Sequence, residues 1–166
     1  MGEPPEDDPF SPLLAAHGDF VDKLTELEAT LDEMMATRET REENLIILDE
    51  SLRFLDDELE PILRAEDETV LPPLERTIGR YGTLVNVIAY EHDEIRRGIE
   101  KLHEARDGLR TQPGSWAGIQ EVNRHGIFLV QFLWDHFRKE RTSLFSTARD
   151  RLTFGELAAI RSRFSQ

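Results

Sequence analysis

The chain contains no cysteine, which excludes disulfides, thiolate nucleophiles, iron–sulfur clusters and every cysteine-ligated zinc site. It is also short of positive charge: 20 lysines and arginines stand against 34 acidic residues, a formal net charge of −14. A field of that sign repels phosphate backbones and anionic lipid, so neither nucleic acid nor a membrane surface is expected as a partner. No apolar run approaches the ~18 residues of a membrane span. The N-terminus has no basic-then-apolar signal segment, and Glu6 stands where a myristoylation motif needs Ser or Thr. A soluble, cytoplasmic protein is expected. The 166 residues are the length of one domain, enough to bury a full core without covalent staples.

Helical periodicity fills most of that length. Residues 1–10 (MGEPPEDDPF) join three prolines to four acids and read as a disordered acidic arm; the domain proper is expected over 11–166. Ser11-Pro12 suggests an N-cap followed by proline at the first helical position. An apolar stripe then runs through Leu13, His17, Phe20, Leu24, Leu27, Leu31 and Met34. Thr40-Arg41-Glu42-Glu43 reads as a capping box opening a second stripe: Leu45, Leu48, Leu52, Leu55, Leu59, Ile62, Glu66 and Thr69. Pro61 should kink this helix, because the pattern continues past it, and Pro72-Pro73 should end it. The third stripe is Val85, Ile88, His92, Ile95, Ile99 and Leu102, broken by TQPGS at 111–115; the fourth is Val122, His125, Leu129, Phe132, His136, Glu140 and Leu144. Thr153 and Glu156 form a further capping box before a short helix whose Leu157 and Ile160 should close one end. Long stripes joined by short polar breaks specify an all-α protein, an up-down-up-down four-helix bundle with a short C-terminal helix.

The stripes carry ionisable residues where leucine would be expected: His17, Glu66, His92, His136 and Glu140. Unpaired carboxylates are costly in a core, so two of them need partners. In an antiparallel hairpin, residues at one height are equidistant from the loop centre. His92 and His136 centre on Gly114, His17 and Glu66 near Arg41, and Glu66 and His92 on Gly79. Each centre falls in a break between stripes, so all five residues should share one level. A weak internal repeat agrees: residues 62–74 align with 136–148, matching Arg64 to Arg138 and Glu66 to Glu140.

Two glutamates facing each other at ~5 Å repel by about 3 kcal/mol at an effective dielectric of ~20. A cation between them reverses the sign. Imidazole and carboxylate without sulfur suit iron, manganese or zinc, and bundle-core carboxylates of this kind hold di-iron or di-manganese centres.

The segments LLAAHGDF around His17, PILRAEDETVLPPL, EHDEI and HFRKERTSLF resemble the hemerythrin family, specifically the hemerythrin-like (HHE) cation-binding domain, over residues 11 to about 162. The most specific element is a doubled His-x-x-x-Glu, one copy of which here reads Ile62-x-x-x-Glu66. The resemblance implies a four-helix bundle with an oxo- or hydroxo-bridged di-iron centre that binds dioxygen, peroxide or nitric oxide, or senses or stores iron. It implies His17 as the helix-one ligand, His92 as the helix-three ligand, His136 as the terminal ligand on helix four, and Glu66 and Glu140 as bridging carboxylates. Ile62 stands where the family has a histidine, and Ser146 replaces an exit proline. One metal position is therefore short of a nitrogen. The second metal is then weak or absent, is held with extra water, or is rescued by an acid, for which Glu58, Asp67 and Asp93 are candidates. The expected cofactor is iron, di-iron or mononuclear, ahead of manganese or zinc.

Other readings stand beside this one. The cluster is alternatively a buried ion-pair network in which Arg64, Arg138 or Arg141 neutralises the glutamates. The protein is alternatively a metal-degenerate bundle acting as a regulatory or protein-interaction module. His103 and His125 share a level and form either a second metal pair or, more simply, hydrogen-bonded or solvated histidines. Trp134, Phe137, Phe132 and Phe145 could wall a ligand channel or be plain core. No general base or substrate pocket is legible, so the sequence leaves enzyme status open.

Overall fold

The structure, a computed structural model, describes residues 8–165; of the arm expected over residues 1–10, the first seven lie outside them. The described residues form helices and connecting turns without a strand. Helix α1 is Ser11–Thr37. The second rod consists of α2 (Glu42–Phe54), a π-helical turn (Leu55–Leu59) and α3 (Glu60–Thr69). After a bend at Val70, α4 (Leu71–Ile78) extends this rod. Helix α5 is Leu84–Thr111. The fourth rod is α6 (Trp116–Lys139), a π-helical turn (Glu140–Leu144) and α7 (Phe145–Arg151), and α8 is Phe154–Phe164. Helix α1 packs on α2 and α6, α5 packs on α6, α2 and α3, and α8 lies on α3 and α1. The ring is the expected four-helix bundle.

The apolar stripes separate into two core clusters with a polar layer between them. On α1, Leu13 belongs to one cluster, Phe20 to the other, and His17 lies between them. The same holds for Glu66 between Leu63 and Val70, for His92 between Ile88 and Ile95, and for Glu140 between Phe137 and Leu144. Every rod thus crosses from one apolar cluster to the other at the same level, and that crossing point is the site.

The turns follow the sequence in part. Gly79, at φ +81°, ends the second rod in a conformation that a side chain would strain. Ser115 caps α6 by accepting from the Gly118 N–H, and Thr153 with Glu156 forms the expected reciprocal box. Four expectations are corrected. The Thr40 box does not form: the capping residue is Arg41, and the Thr40 hydroxyl donates instead to the Pro113 carbonyl at 2.5 Å, tying two loops together. Pro72-Pro73 does not stop the rod but starts α4, where a missing N–H costs nothing. Ser11 is inside α1, with Phe10 at the capping position. Residues 8–10 belong to the core and not to an arm. Phe10 is buried and stacks on Phe145 with centroids 4.4 Å apart, and the Asp8 carboxylate accepts from the Phe10 N–H (3.0 Å) and from Arg149 (2.6 Å). The helix continues past Pro61, as expected. Pro61 has no N–H to offer the previous turn, and the wider π turn just before it, closed by Glu60 N–H to the Leu55 carbonyl, takes up the mismatch.

Gly126 on α6 leaves no room for a side chain against α1, since a Cβ there would meet Leu31 Cδ1 at 2.5 Å. Gly18, also helical, would meet nothing within 4 Å. Gly126→Ala should therefore cost about 1–3 kcal/mol through overpacking, outweighing the helix-propensity gain of about 1 kcal/mol. Gly18→Ala should keep that gain. Thermal midpoints falling for the first and rising for the second are the expected pair of results.

Candidate metal centre

Glu66 on α3, His92 on α5, and His136 and Glu140 at the α6 boundary converge in the buried layer, each contributing one ligand atom within 4.8 Å of the others. None of the four is more than 1% exposed, and His17 is 4% exposed. Glu140 Oε1 lies 2.5 Å from His136 Nε2 and 3.4 Å from His92 Nε2, whereas Oε2 faces His17 Nε2 at 3.5 Å. Glu66 Oε1 stands 3.3 Å from His92 Nε2. The π-helical turn that begins at Glu140, closed by the Phe145 N–H on the Glu140 carbonyl, places this carboxylate between the two groups of histidines.

The outer nitrogens of two rings are fixed by acids that the stripes did not single out as supports. His92 Nδ1 lies 2.7 Å from Asp67 Oδ1, and the other Asp67 oxygen accepts from Arg96 at 2.7 Å. His136 Nδ1 lies 2.8 Å from Glu91 Oε1, while Glu91 Oε2 accepts from Lys139. A carboxylate at Nδ1 selects the tautomer with its proton on that nitrogen, leaving the Nε2 lone pair aimed inward. Asp67 is thus a support and not the rescuing ligand, and Glu58 and Asp93 are exposed. Glu91 went unnoticed because it sits one residue off the α5 seam; its only sequence signal is adjacency to His92 on the side facing the fourth rod. Glu91→Gln should fold normally and weaken metal binding by about 10–100-fold, read by chelator competition.

Inward lone pairs facing carboxylates do not satisfy one another. Both His17 nitrogens, both Glu66 oxygens, His136 Nε2 and Glu140 Oε2 are buried without a hydrogen-bond partner. The guanidinium alternative is not realised: Arg64 pairs with Glu60 and Arg138 with Asp135, both arginines being well exposed, and Arg141 is exposed as well. A cation satisfies two imidazoles and two carboxylates together, so the donor set fits a metal.

The same carboxylates set the protonation of the rings. Burial opposes a charged His92, but Asp67, Glu140 and Glu66 overcome it and raise its pKa to about 12. His136 is raised to about 9 by Glu140 and Glu91 against the same penalty. Burial and then the Glu140 charge push Glu66 upward. Glu140 goes the other way: burial would raise it, yet His136, His17 and His92 hold it well below the usual range. Protons occupy these rings where no metal does.

His103 and His125 do not form a second metal pair. His103 Nε2 lies 2.8 Å from Asp56, and His125 lies 3.3 Å from Glu121 on its own helix. Of the four aromatics weighed for a channel, Phe137 and Phe145 flank His17 at 4.5 and 5.7 Å, and Phe132 pairs with Phe128 elsewhere. No helix among the described residues is long and apolar enough to cross a membrane.

The profile of the hemerythrin HHE cation binding domain matches residues 8–148. No curated protein matches the chain.

Proposed function

The chain belongs to the hemerythrin HHE cation-binding domain family, and from that membership we propose that it is a non-haem iron protein whose bundle core binds or senses dioxygen, peroxide or nitric oxide, or stores or senses iron itself. His92, His136, Glu66 and Glu140 would hold the first iron. His17 and the second oxygen of Glu140 would serve a second position that is one nitrogen short at Ile62. When bound, iron supplies redox chemistry and an open position for a small ligand. The protein supplies a water-poor layer between two apolar clusters, two histidines oriented from behind by carboxylates, and a shared carboxylate that faces both positions. A reversible carrier needs a full histidine set, so Ile62 favours sensing, peroxide handling or storage.

The observation that carries this reading is the convergence of unsatisfied buried imidazoles and carboxylates with no guanidinium among them. Metal analysis and visible absorption of protein expressed with ample iron test it. Between one and two irons per chain, with the absorption of ferric iron, is the expected result. No metal would favour the regulatory-module reading, and stoichiometric zinc or manganese would replace iron as the cofactor.

A pH dependence follows. Ligation needs bare Nε2 atoms, while the metal-free rings of His92 and His136, raised to about 12 and about 9, are protonated at neutral pH. Glu66, which burial and the Glu140 charge raise to about 8, carries a third proton, so metal uptake at pH 7 should release roughly three protons per chain, and affinity should rise with pH toward 9. Titration calorimetry in buffers of different ionisation enthalpy measures that release.

A further inference from the structure

An apolar cavity lies one aromatic layer away from His17, between α1, α2 and α6. Leu24, Leu27, Leu55, Leu59 and Leu133 wall it. Its floor is Phe20 stacked on Phe137, with centroids 5.4 Å apart, and the Phe137 ring also meets His17 at 4.5 Å. Lys23 and Phe54 form the outer rim, the ammonium standing 6.0 Å from the ring centroid. The π-helical turn supplies Leu55 and Leu59, so the local widening of the second rod borders the space. The cavity offers about 10 Å³ to the centre of a water-sized molecule, room for one small occupant.

Inside the rim lysine, one further polar side chain lines this space. Ser51 is 3% exposed, and its hydroxyl has no hydrogen-bond partner. A buried hydroxyl without an acceptor is unfavourable, so its position among leucines calls for an occupant able to accept one hydrogen bond. Water is a poor candidate because a buried water needs 2–4 polar partners and finds one here. Anions such as superoxide or hydroperoxide are disfavoured, because the interior walls are carbon and the one cation, Lys23, stands at the partly exposed rim and already pairs with Glu26 at 3.7 Å. An uncharged diatomic with weak acceptor character fits both the volume and the single donor.

We propose that this cavity is a holding pocket for an uncharged diatomic ligand, dioxygen or nitric oxide, which passes between Phe20 and Phe137 to the His17 side of the metal layer. The inference rests on the proposed iron function and narrows its ligand class. It also gives the location a reason: the cavity adjoins the histidine that has no supporting carboxylate, on the side where Ile62 leaves the metal fewer protein donors.

Dissolved dioxygen tests the pocket directly, because it is paramagnetic. With the full-length, methyl-labelled chain kept free of iron, methyl relaxation should be enhanced several-fold more at Leu27, Leu59 and Leu133 than at Leu13 and Leu144, all five being at most 1% exposed and the last two lying in the other apolar cluster. Equal enhancement in both clusters overturns the proposal. This measurement uses the unaltered chain and needs no metal, so it stands or falls apart from the iron assignment. Ser51→Leu, which fills the cavity, tests the route in the iron-loaded protein. Its iron content should match that of the unaltered chain, and association of nitric oxide should slow by roughly tenfold, the effect of about 1.4 kcal/mol on a barrier. An unchanged rate at matched iron content overturns the route.

Discussion

Replacing Glu140 with alanine is expected to lower metal affinity by more than about 100-fold, beyond the 10–100-fold that loss of a supporting partner costs. Glu140 is the only carboxylate of the cluster with one oxygen toward His92 and His136 and the other toward His17, so its removal weakens both positions together. Alanine also leaves a cavity and an unbalanced buried charge, a stability cost of about 3–5 kcal/mol. Glu140→Gln separates the two effects by keeping the volume while losing the charge, and it should also lose metal. A further sign check is available without metal. The Glu140 charge is, after burial, the largest influence raising Glu66, so neutralising it should let the Glu66 pKa fall. Metal content measured after purification, with chelator competition, decides the matter. Full metal retention by both variants would remove Glu140 from the ligand set.

Ile62→His should move bound metal from about one toward two per chain. Ile62 is half-buried one helical turn before Glu66 and packs against both apolar clusters, which places it at the edge of the polar layer. An imidazole there supplies the missing nitrogen beside the weaker position. Losing partly buried apolar surface should cost the metal-free chain about 1 kcal/mol, or roughly 2–4 °C in thermal midpoint for a domain this size. Metal should restore that loss and exceed it, because a ligand that binds only the folded chain stabilises it. The expected signature is a lower midpoint without metal and a higher one with it. Unchanged stoichiometry would mean that another group of the chain already fills the position.

Much of this geometry could be read before any coordinates. The spacing of His17, Glu66, His92, His136 and Glu140 about the three loop centres placed them at one level, and His92 and His136 meet with ring centroids 5.1 Å apart. That reading worked because height in an antiparallel hairpin depends only on rise per residue and loop position, both local quantities. The packing of Asp8 and Phe10 was illegible. Proline and acid content suggested nothing to bury, yet Arg149 and Phe145, far along the chain, supply the partners. Thr40 misled for a similar reason: its competing acceptor, the Pro113 carbonyl, lies in another loop.

The sequence by itself determined that four amphipathic rods carry an acidic and imidazole layer through an otherwise apolar core, since periodicity of 3.6 fixes which residues face inward. It did not determine what each inward group does. Whether an acid beside a histidine binds the metal, as proposed for Glu66, or steadies the ring from behind, as Asp67 and Glu91 do, turns on the rotation of one helix about its axis by a fraction of a turn. Neighbouring rods set that rotation, and so does a π turn starting at Glu140 that redirects a single carboxylate. Those are contacts between distant segments, and only the assembled bundle fixes them.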